Sequence, residues 1–375
     1  MSSRYKYLLG FFLLFAGCNS KTSTSTTDGS TAKDAGDVAS IAEPVASDPV
    51  EAVNAIEAVT KKIRRDSNGA IIDVDFRGLE IKDSDLLALV ELPKLRAVRL
   101  GGTAVTDEGL GTVGQISSLE DLDLRDCGIS DDGLAKLAGL DKLKALRLSG
   151  KSGDCSVSDD GMVHVAKLTN LKVLAIDYLW ISEDGIKELA GLDKLQELYM
   201  AETTIGNEAI ELFAKFPNLK KLRLARNQID ASGVANLPKI KMLEELDLSE
   251  CAQLFDDSMG PLAELKNLKK LNLWRVNISD IGVEPLKGLT ALEHLNLDNT
   301  RLSDEGTPYL SGMKNLTFLH LGSTQITDDG LAALESLTKL EDLKVTRTAV
   351  TQEGVDRLGK VLPATKIQLE YIEGQ

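Results

Sequence analysis

A pattern of about 24 residues recurs twelve times between residues 71 and 363, and this periodicity constrains the fold more than any other feature. It reads L-x-x-L-x-L-x-x-T-x-I-T-D-x-G-L-x-x-L-x-x-L. Ten repeats have 24 residues, the fourth has 28 and the eighth has 25. The repeats, numbered in chain order below, begin at Ile71, Leu95, Leu119, Leu143, Leu171, Leu195, Leu219, Leu243, Leu268, Leu292, Leu316 and Leu340. One repeat cannot bury its own leucines, so successive repeats must stack.

The first half of each repeat predicts a short strand and a turn. In L-x-x-L-x-L the last two leucines alternate with polar residues, which indicates a strand with one buried face. A small or polar residue then recurs where the chain turns inward, suited to satisfying backbone groups or filling the turn. This position holds Thr103, Cys127, Cys155, Thr203, Asn227, Cys251, Thr300, Thr324 and Thr348.

The second half predicts a helix that packs its leucines against the strand. A serine or threonine precedes it as the predicted N-cap, at Thr106, Ser130, Ser158, Ser182, Ser279, Ser303, Thr327 and Thr351. An acidic residue usually follows, as in Asp107, and favours the positive end of the helix dipole. Read alone, these acids resemble a calcium or catalytic pattern, but their place beside the caps favours the capping explanation.

The pattern resembles that of leucine-rich repeats, over about three quarters of the chain. The I-T-D-x-G-L segment is similar to the ribonuclease-inhibitor-like and F-box-associated subtype. The resemblance implies an α/β leucine-rich-repeat solenoid, with parallel strands on the concave face and helices on the convex face.

Both ends of such an array need caps, because an open end exposes core leucines. The residues VEAVNAIEAV after Asp48 and Pro49 have helical spacing, and residues 62–65 read as a strand before a turn. TKIQLEY, residues 365–371, reads as a last strand. We therefore divide this part of the chain into an N-terminal cap at 48–70, the array at 71–363 and a C-terminal cap at 364–375.

The N-terminus reads as an export signal. Arg4 and Lys6 precede the apolar run LLGFFLLFA, which is about half the ~20 residues that span a bilayer. Residues 1–17 therefore predict a secretory signal peptide. Residues 18–47 have few large apolar side chains and predict a disordered tether.

The end of that signal resembles the lipobox of bacterial lipoproteins. Ala16 and Gly17 precede Cys18 as expected, whereas Phe15 stands where leucine is usual. The resemblance implies lipidation of Cys18 and an exported lipoprotein in the cell envelope, in the periplasm or at the cell surface. The lipid would be its only membrane anchor. The alternative is a plain secretory signal in which Cys18 is incidental.

Charge and motif content exclude several function classes. The net charge of −15 repels nucleic acid and anionic headgroups, so nucleic acid is not an expected partner. The sequence contains neither H-E-x-x-H nor G-x-S-x-G, and its three histidines are His164, His294 and His320. We therefore predict no catalytic residue, no metal site and no cofactor.

Cys127 and Cys155 occupy equivalent inward positions in adjacent repeats, close enough in principle for a disulfide. The alternative, which we favour, is a pair of buried thiols that act as small apolar side chains.

The strand face is the expected binding surface of a repeat array. In its N-terminal half the residues between the strand leucines alternate in sign, as Asp75, Arg99, Asp123 and Arg147. We expect Asp75 to pair with Arg99 and Asp123 with Arg147. This half of the face would then be self-neutralised.

The C-terminal half carries aromatic residues in a chain with only 4% aromatics. Exposed aromatics with arginine are typical of interfaces. We define the C-terminal patch as Tyr199, Arg223, Trp274, Arg275, His294, Phe318 and His320. The hypothesis is a scaffold that binds a protein partner there. The alternatives are scattered surface aromatics on a structural envelope spacer, or a glycan-binding module. The insertion at residues 150–154 is a second candidate site.

Overall fold

The computed structural model describes residues 47–371, in which 14 strands form one sheet ordered as in the chain. The first two strands are antiparallel and every later neighbour is parallel. The strands are Ile63–Arg65, Ile71–Asp75, Ala97–Arg99, Asp121–Asp123, Ala145–Ser149, Val173–Asp177, Glu197–Tyr199, Lys221–Arg223, Glu245–Asp247, Lys270–Asn272, His294–Asn296, Phe318–His320, Asp342–Lys344 and Lys366–Gln368. The predicted parallel solenoid is confirmed.

The register places equivalent residues of successive repeats side by side. Each strand leucine pairs with the leucine one repeat further along the chain, as Leu122 does with Leu146 and Leu295 with Leu319. Because side chains alternate across a strand, the leucines all face inward and their neighbours all face the concave side. The core is almost wholly aliphatic, with Phe76 and Phe213 among its few aromatics.

The other side of the array consists of short helices. The α-helices are Val50–Val59, Asp107–Val113, Asp131–Ala135, Asp159–Val165, Glu183–Glu188, Glu208–Phe213, Ala231–Val234, Asp280–Val283, Asp328–Ala332 and Gln352–Val361. The 3-10 segments are Asp83–Glu91, Leu189–Gly191, Leu237–Lys239, Asp256–Ser258, Gly260–Glu264, Glu284–Gly288 and Thr307–Leu310. Prolines near the start of four of the 3-10 segments remove a backbone donor, which prevents a longer α-helix.

Each end of the array carries its own elements. At the N-terminal end, helix Val50–Val59 buries Ile56, and the Asp48 carboxylate accepts the backbone N–H of Ile71 at 2.6 Å. At the C-terminal end, helix Gln352–Val361 buries Leu358 ahead of the last strand. In the range 47–371, no helix is long and apolar enough to cross a membrane.

Carboxylates on the helical side join most repeats to the next. The Asp107 carboxylate accepts the backbone N–H of Ser130 at 2.9 Å and its hydroxyl at 2.5 Å. We call this series the carboxylate ladder. The same two bonds join Asp83 to Thr106, Asp131 to Ser158, Asp159 to Ser182, Asp256 to Ser279, Asp280 to Ser303, Asp304 to Thr327 and Asp328 to Thr351. The acids expected to act only on their own helix dipole therefore hold the following repeat as well.

The ladder explains the glycine three residues after each cap. A Cβ added at Gly185 would overlap the Asp159 carboxylate oxygen, far inside van der Waals contact. The same overlap, with Asp or with Asn207, occurs at Gly109, Gly133, Gly161, Gly233, Gly282, Gly306, Gly330 and Gly354. After the first repeat, which has no preceding repeat, the two repeats with another residue at this position are those whose preceding repeat lacks Asp or Asn. In one case Glu183 stands at the aspartate position and Ala209 at the glycine position. In the other, Ala231 stands at the aspartate position and Ser258 at the glycine position.

We predict that Gly185→Ala lowers the free energy of unfolding by about 1–3 kcal/mol, the usual cost of overpacking. Alanine is otherwise the better helix residue by about 1 kcal/mol, so the sign of the change is diagnostic. The measurement is the urea midpoint followed by circular dichroism. Gly139→Ala is the matched control, because an added Cβ there meets nothing within 4 Å.

The cause of the Gly185→Ala loss is tested by combining it with Asp159→Ala. If the carboxylate is the obstacle, Gly185→Ala costs clearly less in the Asp159→Ala background than in the wild-type chain. Equal costs in both backgrounds would contradict the overlap explanation.

Candidate ligand-binding face

The charged residues in the first repeats of the concave face neutralise each other, but not through the expected partners. Asp75 forms an ion pair with Arg77, two residues along its own chain, at 2.7 Å. Arg99 instead reaches back to Asp73 on the neighbouring strand. The predicted Asp75–Arg99 pair was wrong because arginine is long enough to reach a carboxylate two residues before the one directly opposite.

The same arrangement recurs two repeats later. Asp123 pairs with Arg125 at 2.6 Å, and Arg147 pairs with Asp121 at 2.5 Å. The predicted Asp123–Arg147 pair is therefore also wrong. The alternation of sign still leaves this half of the face with its charges internally matched.

A cavity of about 280 Å³, the central cavity, runs along the concave face from repeat six to repeat eleven. Its floor contains the buried Leu222 and Leu271. Tyr199 and Arg223 lie toward its N-terminal end, and His294 and Phe318 come from its last two strands.

Ion pairs form the walls of the central cavity. Lys221 lies 3.1 Å from Glu197, and Lys270 lies 3.2 Å from Glu245. The Tyr199 hydroxyl donates to Glu197 at 2.8 Å; burial, followed by this bond, raises the pKa of Tyr199. The tyrosine therefore remains a protonated donor at neutral pH.

Arg223 is held between two carboxylates, with Asp177 at 3.3 Å and Asp247 at 3.5 Å. Burial raises the pKa of Asp177, against the bond it accepts from the backbone of Ala201 and the charge of Arg223. These contacts fix the guanidinium in place, and the two carboxylates weaken its attraction for an anionic group of a ligand.

Aromatic rings meet at the C-terminal end of the central cavity. His294 and Phe318 stack with centroids 5.7 Å apart, and Phe318 meets His320 edge-on at 6.4 Å. Burial lowers the pKa of His320, which outweighs the opposing effect of Asp298 at 3.9 Å. His320 is therefore neutral at pH 7 and serves as part of an aromatic surface.

A second cavity of about 340 Å³, the C-terminal cavity, contains the rest of the patch. Trp274, Arg275 and His320 line it, with the Arg275 guanidinium 5.5 Å from the Trp274 ring. The C-terminal patch is therefore divided between two cavities. They meet where Phe318 of the central cavity contacts His320 of the C-terminal cavity.

The residues outside the patch that line the C-terminal cavity include Lys344, Arg347 and Tyr371. Arg347 lies over the Tyr371 ring at 3.8 Å, and Lys344 lies over the Phe318 ring at 5.8 Å. The signal for Lys344 was present in the sequence, since it occupies the strand position of His320 one repeat later. Tyr371 follows the last strand, outside the repeat pattern.

A third cavity, of about 410 Å³, borders the insertion at residues 150–154, and we call it the rim cavity. Trp180 on its wall is 77% exposed. Sequence reasoning missed this residue because it compared only positions on the strand face. The available signal was that Trp180 is one of just two tryptophans in the chain.

The inward-turn residues bond to the end of the strand. Thr103 donates to the carbonyl of Leu100 at 2.7 Å, and the Cys127 thiol donates to the same oxygen at 3.1 Å. Cys127 and Cys155 are buried and free, so the considered disulfide is not formed in this structure. Burial raises the pKa of Cys155 to about 11.

Two further predictions concern metals and lipidation. Within residues 47–371, no group of three His, Cys, Asp or Glu side chains is arranged to hold a metal ion. Cys18, the signal peptide and nearly all of the tether lie outside the described residues.

We predict that Asp75→Asn reduces the loss of stability on acidification. Arg77, mainly by its hydrogen bonds, lowers the pKa of Asp75 to about 2, which outweighs the effect of burial. A carboxyl with a depressed folded-state pKa stabilises the fold above its unfolded pKa, and this contribution disappears between about pH 4 and pH 2. Urea midpoints measured across that window should fall less steeply for Asp75→Asn.

The matched control for Asp75 is Asp132→Asn, at an exposed acid that forms no ion pair among the described residues. It should follow the wild-type slope. An Asp75→Asn slope equal to that of the wild type would contradict the role assigned to the Asp75–Arg77 pair.

Comparisons with known proteins agree with this geometry. A family model described as leucine rich repeat matches residues 266–326, and a second one matches residues 115–138 and 217–237. No curated protein matches the chain. An internalin from Listeria monocytogenes aligns over 86% of this chain and 95% of its own, with 20% identity and a TM-score of 0.59.

The structure of a Rad7 and Elc1 complex in yeast aligns over 76% of this chain and 83% of the matched chain, with 19% identity and a TM-score of 0.52. At these identities the likeness to solved structures establishes the fold alone. The repeat subtype and the lipoprotein signal stay predictions. The repeat geometry and the family models agree that the described residues form a leucine-rich-repeat solenoid, and the family models match parts of its array.

Proposed function

We propose that this protein is a non-catalytic scaffold that binds a protein partner on the concave face of repeats six to twelve. The observation that carries the proposal is the pair of adjoining cavities that contain the C-terminal patch. Stacked His294 and Phe318 lie at the C-terminal end of the central cavity, in a chain with few aromatics, and Phe318 contacts His320 of the other cavity. Aromatic side chains with arginine at the centre of a concave surface are the usual anchors of protein interfaces.

The charges favour a partner with a mixed surface that includes carboxylates. Lys221 and Arg223 are already paired within the central cavity. Lys344 and Arg347 contact aromatic rings instead, and within residues 47–371 neither forms an ion pair. An acidic side chain of a partner could form an ion pair with these cations. The pair would lie beside an apolar surface, where it is stronger than in open water.

Protein is preferred to glycan for this face because its central cavity has an apolar floor and paired charges along its walls. The yeast structure of similar fold is itself a complex of two proteins. The second candidate is a structural spacer without a specific ligand. It is favoured if the full chain has no stoichiometric partner.

We also propose that the chain is exported and held in the envelope by a lipid on Cys18. The sequence supports this through the basic start, the short apolar run and the Ala16-Gly17-Cys18 motif. A coil of about 30 residues has a root-mean-square span on the order of 30 Å, so the tether would hold the array clear of a membrane surface.

Phe318→Ala and Trp274→Ala should each weaken binding of a partner cross-linked from envelope extracts by at least about tenfold, the effect of losing an interface anchor. Phe255→Ala is the matched control, because Phe255 is an exposed aromatic that lies outside both cavities. The measurement is an equilibrium titration of the full chain with the purified partner. Unchanged affinity for both test variants would refute the concave site.

Cys18→Ala should abolish incorporation of a labelled fatty acid and move the protein from the membrane fraction to the soluble fraction. Phe15→Leu, which restores the usual lipobox residue, should keep or increase labelling. If Cys18→Ala leaves labelling and membrane association unchanged, the anchor is wrong, whereas the fold and the concave site are unaffected.

A further inference from the structure

The rim cavity combines an exposed indole with unused polar groups. Lys151, Tyr178, Trp180, Thr204 and Gln228 are among its lining residues. It lies outside the C-terminal patch and shares no residue with the central or C-terminal cavity. A ligand bound in the rim cavity would therefore contact none of the residues assigned to the protein partner.

The exposure of Trp180 is imposed by the repeat. Leu179 and Ile181 on either side are buried at 2% and 0% exposure, and the backbone of Trp180 forms a parallel bridge with Ser158. The indole is 77% exposed although large aromatic side chains are mostly buried in folded proteins. It is therefore presented to solvent from a firmly held backbone.

Tyr178, two residues earlier, has the left-handed backbone that recurs at this turn of the repeat. Its φ is 62°, and eight other non-glycine residues, among them Arg226 and Arg275, have a similar φ at the equivalent turn. The repeat turn therefore places the Tyr178 ring on the surface beside the insertion. Lys151 from the insertion lies 5.8 Å from the centre of the Tyr178 ring.

The polar groups around the aromatics are available for hydrogen bonds. The Lys151 ammonium, the Thr204 hydroxyl and the Gln228 amide bond to no side chain or backbone group within the described residues. Glu202 accepts from Arg226 at 2.8 Å and keeps other lone pairs. The cavity thus offers a flat aromatic surface bordered by free donors and acceptors.

This combination matches a sugar better than a protein. A pyranose with equatorial substituents has a flat C–H face, which complements the negative face of an indole, and hydroxyls at its edge. On one side of the cavity an ion-pair chain runs from Glu202 through Arg226 to Glu250, with both distances 2.8 Å. One lysine and one glutamate line the cavity, which favours a neutral ligand.

We propose that the rim cavity binds a neutral β-linked oligosaccharide, which stacks on Trp180 and bonds to Gln228, Thr204 and Lys151. The chain contains only two tryptophans, so Trp274→Phe leaves Trp180 as the single indole reporter. Cellotetraose and tetra-N-acetylchitotetraose are the test ligands, because their equatorial linkages present flat C–H faces.

In the full-length Trp274→Phe protein, at least one tetrasaccharide should produce a saturable change in Trp180 emission. Calorimetry on the otherwise wild-type chain should give at least about tenfold weaker binding for Trp180→Ala, equivalent to about 1.4 kcal/mol. Trp180→Phe should restore part of the affinity, and Gln228→Ala should weaken it several-fold. Phe255→Ala is the matched control for removal of an exposed aromatic and should bind as the wild type does.

Three results would overturn the proposal. The first is no saturable response to either sugar in a folded protein. The second is a response that Trp180→Ala leaves unchanged, above all if Phe318→Ala removes it, because the sugar would then occupy the concave face. The third is loss of the protein partner on Trp180→Ala with no sugar bound, which would make the rim part of the protein interface.

Discussion

Most of this fold depends on a short carboxylate that reaches from one repeat to the next. An aspartate at the start of a helical segment accepts both the backbone N–H and the hydroxyl of the following cap, as Asp280 does for Ser303 at 2.8 and 2.6 Å. Where the following cap position is Gly206, which has no hydroxyl, Glu183 accepts only the backbone N–H. Backbone hydrogen bonds join the strands on the concave side, so two sets of bonds hold most pairs of neighbouring repeats together.

This rigidity allows residues 24 positions apart to act as one surface. His294 stacks on Phe318 because both occupy the same strand position in neighbouring repeats. The carboxylate ladder and the sheet hydrogen bonds therefore align equivalent positions into one face. The residue at each such position then determines the charge and polarity of the face in that repeat. Many concave positions are used in ion pairs, including those along the walls of the central cavity, and aromatic residues line the C-terminal end of that cavity.

Sequence reasoning succeeded where one repeat carries the information and failed where two repeats share it. The strands and the inward leucines followed from spacing alone. The partners of Arg99 and Arg147 did not, because their side chains reach diagonally to the neighbouring strand. The role of Asp107 toward Ser130 was missed for the same reason, although the recurring glycine after each cap was a visible sign of it.

The sequence by itself determined the architecture, because a leucine period of 24 residues can bury its apolar side chains only by stacking repeats. It also determined which positions face the concave side, since alternation along a strand is local. Only the tertiary structure decided that the patch divides into two cavities and that Trp180 stands exposed beside the insertion. Those outcomes depend on distances between side chains of different repeats. Side-chain length and packing determine these distances, whereas the repeat period does not.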